Sequence, residues 1–177
     1  MNKNKTHLFN LVLSAILCAV SVVLSRFLSY NVWNLSIGLA FLPIMVSALV
    51  SGCVWGGITG GLADFIGALL FPFGTYFPGF TFTAFLTGVM FGLIGRLNKR
   101  CENTKFFALW SALILLSKEI ICALILNSLW ISILYGTAFS AVLITRVPTS
   151  AVMLVIEFFS VLLLRRFILP KISKVIK

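Results

Sequence analysis

Long apolar runs follow one another along almost the whole chain, and between them stand short clusters of positive charge. A bilayer-spanning helix needs about 20 mostly apolar residues. By that measure the runs fall at about residues 8–28, 37–50, 54–70, 80–97, 106–135 and 148–169, the last with an apolar lead-in from Gly136. None alternates with a period of two, which argues against a membrane β-barrel. Sixty per cent of the 177 residues are apolar and ten per cent charged, where a soluble domain carries roughly a quarter charged residues. Too little polar surface exists to cover a water-facing globule. The expectation is an all-α membrane protein with six transmembrane helices, a single domain over residues 1–177.

The charges give the topology. Lys3 and Lys5 stand at the N-terminus, Arg96, Lys99, Arg100 and Lys105 mid-chain, and Arg165, Arg166, Lys171, Lys174 and Lys177 at the C-terminus. Six spans put all three clusters on one side, which the positive-inside rule makes cytoplasmic, together with both termini. Five spans would divide them across the membrane. Clusters that punctuate apolar runs do not form the basic face that nucleic-acid binding requires. The outer segments 29–36 and 71–79 contain no charge.

Within the spans a few polar groups stand out. Lys118, Glu119 and Glu157 lie deep, where a charge costs about 2.5–3.5 kcal/mol on insertion scales, so they are expected to face the interior. Lys118 and Glu119 point about 100° apart on an α-helix and are not expected to share one direction. Lys118 with Glu157 is the plausible internal pair. The three are either structural ion pairs or ligand contacts. Arg26 closes helix 1 and Arg146 opens helix 6, both at the outer level, and each guanidinium offers a planar fork to a carboxylate. Asp64 lies in the outer half of helix 3. The segment from Phe71 to Phe82, with Tyr76, Phe77 and Phe80, is aromatic and turn-rich. Together with Trp33 and Trp130 it offers faces for a flat ring, or an interfacial belt.

Small residues recur at spacing four: Gly52, Gly56 and Gly60, then Gly88 and Gly92, then Ala15 and Ala19. The glycines are expected to pack helices closely inside the bundle. The alanines serve either that purpose or a partner helix. Four scattered cysteines form no C-x-x-C pair, so neither a metal site nor a disulfide framework is expected. The lone histidine, His7, is on the tail, and no phosphate-binding G-x-x-x-x-G-K-[ST] loop occurs. Neither an enzyme nor a cofactor is expected, and any ATPase must be another chain.

Three stretches carry a resemblance. They are the run from Ser21 through Arg26 to Leu28, the glycine-rich run Gly56 to Asp64, and above all the run from Phe71 to Gly88. They resemble the folate-specific S component, the substrate-binding subunit, of energy-coupling factor (ECF) transporters. The resemblance implies a six-helix vitamin-binding subunit of a bacterial plasma membrane. It implies docking to a transmembrane coupling protein and two ATPases. It matches Ala15 and Ala19 to the family's helix-1 docking motif. Folate would need aromatic stacking, an acidic partner such as Asp64 or Glu119 for the pterin, and arginines for its oxygens. The alternatives are an S component for another aromatic vitamin or a queuosine precursor, and a stand-alone proton-coupled transporter relaying through Lys118, Glu119 and Glu157. A lipid-active enzyme is disfavoured, since no His, Ser or carboxylate cluster is evident at headgroup level.

Overall fold

The computed structural model describes residues 3–27, 30–32, 35–72, 75–101 and 103–167. Six helices carry the fold: α1 (Lys3–Phe27), α2 (Phe41–Ser51), α3 (Cys53–Leu70), α4 (Pro78–Arg100), α5 (Thr104–Tyr135) and α6 (Phe139–Phe167). All but α2 are long and apolar enough to cross a bilayer. Between α1 and α2 runs an antiparallel hairpin of β1 (Tyr30–Val32) and β2 (Leu35–Ile37), with Asn31 opposite Ser36.

That hairpin corrects two expectations. Residues 30–32 and 35–36, expected in a loop, are in strands, and the second helix starts at Phe41, not Ile37. The sequence Leu35-Ser36-Ile37 alternates apolar and polar as a strand does, and its apolar residues read equally well as the start of a helix. The resulting α2 has 11 residues and is about 16 Å long. It tolerates this because it is wrapped by protein: Met45, Ser47 and Ala48 have no exposed surface.

Glycine sets the tightest contact, between α3 and α4. A Cβ on Gly60 would stand 2.5 Å from the Ala84 carbonyl oxygen, and one on Gly56 2.7 Å from that of Gly88. Close backbone approach of this kind gains dispersion contact where lipid supplies no hydrophobic drive. Gly52 does something else. It adopts φ +97° between α2 and α3, in open space, and so turns the chain instead of packing it.

Buried hydroxyls join α1, α2 and α3. Ser47 Oγ lies 3.1 Å from Ser14 Oγ and 2.9 Å from Thr59 Oγ1, and Thr59 donates to the Trp55 carbonyl. Ser21 donates to the Ala40 carbonyl just before α2. In the basic half, Met45, Phe91, Ile94, Phe107, Leu115 and Val161 form an apolar core of α2, α4, α5 and α6. Arg165 stacks over Phe107, 4.0 Å from the ring centroid, and donates to the Cys101 carbonyl at the end of α4.

Helix α6 begins nine residues before the expected start at Pro148 and runs straight through that proline. Proline removes one backbone donor from an interior turn, a loss that transmembrane helices tolerate. Arg146 therefore does not open the helix. It sits two turns inside it, on one continuous surface with everything that follows.

Candidate functional site

Helices α4, α5 and α6 border an open-mouthed cavity of about 150 Å³. Its wall comprises Thr87 of α4, then Lys118, Glu119, Cys122, Ala123 and Asn127 of α5. From α6 come Arg146, Thr149, Ser150, Met153 and Glu157. On α6 the lining follows helical spacing from Arg146, since residues three and four apart share a face.

Charges form the cavity floor. The Lys118 ammonium donates to both oxygens of Glu157, at 2.6 and 2.8 Å, and also to Glu119. All three side chains are buried. The expectation that Lys118 and Glu119 do not share a direction is thus corrected. Helix α5 changes to π-helical geometry over Glu119–Leu126, which narrows the turn between neighbours, and lysine's flexible four-carbon stem closes the rest. Below, Lys118 Nζ stands 5.6 Å from the centroid of Phe91, so the charges separate cavity from apolar core. Arg146 lines the same cavity as Glu119.

An aromatic layer adjoins this cavity. Trp130 donates through Nε1 to Thr83 Oγ1 at 3.0 Å, and Thr83 donates to the Gly79 carbonyl. Phe77 packs at 5.5 Å from the Trp130 ring and at 6.2 Å, edge-on, from Phe80. Thr83 lies one helical turn from Thr87 and Trp130 three residues from Asn127, so the layer is about 5 Å from the cavity wall. Gly79 admits the indole: a Cβ there would stand 2.5 Å from Trp130 Cδ2.

Arg26, Asp64 and Tyr76 gather elsewhere. Thr81 donates to Asp64 Oδ2 at 2.8 Å, which leaves Tyr76 Oη, 3.2 Å from Thr81 Oγ1, as the donor in that contact. The Arg26 guanidinium lies over Gly67 of α3, where a Cβ would come within 3.0 Å of Nη2, and interacts with Asp64 through its charge. Thr81 and Thr83 are two residues apart and project about 200° apart. Helix α4 thus stands between the Arg26–Asp64 group and the cavity. Trp33 lies outside the described residues.

Ala15 and Ala19 are exposed, whereas Ser14, Cys18, Ser21 and Val22, centred about a quarter turn away around α1, are buried. Sequence reasoning missed Thr87, Cys122, Asn127, Thr149, Ser150 and Met153 as cavity residues. On α6 the spacing from Arg146 carries the signal, lost once the helix was begun at Pro148. On α5 the π segment breaks the period that would have exposed it.

A multi-pass helical bundle holding a polar, aromatic-flanked cavity in its outer half defines a membrane-embedded small-molecule binding protein. Residues 9–165 match the family described as ECF transporter, substrate-specific component, and the chain belongs to it. Two similar bacterial proteins are both named Folate transporter FolT. That of Clostridium novyi (strain NT) is 33% identical over 142 residues, 78% of this chain and 77% of the relative. That of Leuconostoc mesenteroides subsp. mesenteroides is 30% identical over 152 residues, 82% and 78%. A crystal structure of FolT bound with folic acid superimposes with a TM-score of 0.76 at 32% identity, covering 88% of this chain and 92% of that one.

Proposed function

We propose that this chain captures folate from outside the cell and holds it in the cavity between α4, α5 and α6 for an ATP-driven importer. The observation that carries the reading is that cavity, found in a chain 32% identical to a FolT crystallised with folic acid. Folate joins a flat pterin, an aromatic spacer and a glutamate with two carboxylates. Phe77, Phe80 and Trp130 supply ring faces, Arg146 a fork for a carboxylate or ring oxygen, and Glu119 an acceptor for pterin N–H groups. Lys118 and Glu157 hold Glu119 in place. Arg26, Asp64 and Tyr76 belong to the outer surface the ligand meets on arrival.

The chain itself does no catalysis in this reading. It resides in the bacterial plasma membrane, and two ATPases act through a transmembrane coupling protein that docks on the Ala15–Ala19 face of α1. Purified protein without ATPases is expected to bind folate at micromolar affinity or better, about −8 kcal/mol. Calorimetry with no heat and no competition up to millimolar folate would overturn the assignment.

A further inference from the structure

Helix α5 carries eight π-helical residues, Glu119–Leu126, in the middle of its span. Hydrogen bonds from i to i+5 turn each residue by about 80° instead of 100°. Asn127 lies nine steps beyond Lys118. On a continuous α-helix those steps total about 900°, which puts Asn127 half a turn away from Lys118. At about 80° per step they total about 720°, which brings Asn127 back to the same face. Burial records the same rotation independently. The buried stripe runs Phe107, Ser111, Leu115, Lys118, Cys122 at steps of three and four, then jumps to Ser128 and Ile131, while Ile125, Leu129 and Ile133 face outward.

Asn127 thereby joins the cavity wall. Three charged groups of that wall already engage one another, Lys118 with Glu119 and Glu157. Asn127 is uncharged and offers a donor and an acceptor side by side. Three residues on, along the same face, stands Trp130 against Phe77. An amide beside aromatic faces suits a flat heterocycle that carries an acceptor and a donor in its own plane. We infer that Asn127 is a specificity-determining residue that reads the heteroaromatic ring of the ligand, and that the π segment exists to present it. The inference rests on the folate reading above.

The test uses the purified full-length protein with two probes: folate, and pteroate, which keeps the ring and lacks the glutamate. Wild type is titrated first. If it fails to bind folate, the functional reading falls before Asn127 is reached. With wild-type binding established, Asn127→Ala is expected to lose at least about tenfold in affinity. The loss should be equal for folate and pteroate to about twofold, with the melting temperature of the ligand-free protein unchanged. Asn127→Asp is isosteric, and covers the case in which the alanine variant does not fold. Its new negative charge should weaken both probes alike if the ring is the neighbour, and folate far more if the tail is. Affinities within about twofold of wild type, a loss confined to folate, or a loss that tracks a fall in melting temperature overturns the inference.

Discussion

Lys118 holds two carboxylates at once, and this makes it the residue on which the outer half of the bundle depends. A buried ion pair adds little net stability over an apolar replacement, but breaking one by removing a single partner costs about 3–5 kcal/mol. Lys118→Met leaves Glu119 and Glu157 buried side by side without a cation. It is expected to lower stability by about that amount in denaturant unfolding from detergent. The triple change Lys118→Met, Glu119→Gln and Glu157→Met should recover most of it, because no unpaired charge remains. Unchanged stability in the single variant would show that the three groups do not depend on one another. Charge cost alone made these residues legible in the sequence as interior. The Lys118–Glu157 pair was legible too, and the structure forms it; that Glu119 joins the same ammonium was not, because it needs the π geometry from Glu119 onward.

At the scale of elements, α3 and α4 lie as close as glycine permits, and neighbouring glycines differ in what they do. Gly60 faces the Ala84 carbonyl at a hypothetical Cβ distance of 2.5 Å, whereas Gly61 meets Phe85 Cβ at an ordinary 3.4 Å. Gly60→Ala is expected to cost about 1–3 kcal/mol through forced separation of the two helices. Gly61→Ala should cost well under that in the same unfolding assay. Equal effects would mean the helices can part freely. The long apolar runs were legible as helices because burial in lipid leaves few alternatives to a helix. Two ends were misplaced for identifiable reasons. Ile37 continues an apolar run yet belongs to a strand. Pro148 reads as a helix start yet sits inside α6, and that misreading detached Arg146 from Thr149, Ser150, Met153 and Glu157.

The whole molecule has two faces that should separate experimentally. The cavity lies among α4, α5 and α6, while Ala15 and Ala19 stand exposed on α1. Ala15→Trp and Ala19→Trp are expected to leave folate affinity within about twofold of wild type. They should nonetheless block uptake in cells that also make the coupling protein and ATPases, with co-purification of the coupling protein falling in parallel. A bulky ring there holds a partner helix away and removes close contact. Normal uptake by both variants would place docking elsewhere.

In the proposed function the ligand lies on the α5–α6 side of α4, and two arginines decide it. Arg146 lines the cavity, and Arg26 lies over Gly67 on the other side. Folate is titrated by calorimetry into the Arg146→Ala and Arg26→Ala variants beside wild type. Arg146→Ala is expected to weaken binding by about 2–5 kcal/mol, the cost of leaving a desolvated ligand charge or dipole unpaired. Arg26→Ala should weaken it less. Full affinity in the Arg146 variant together with loss in the Arg26 variant would contradict this placement and move the ligand to the α1–α3 side.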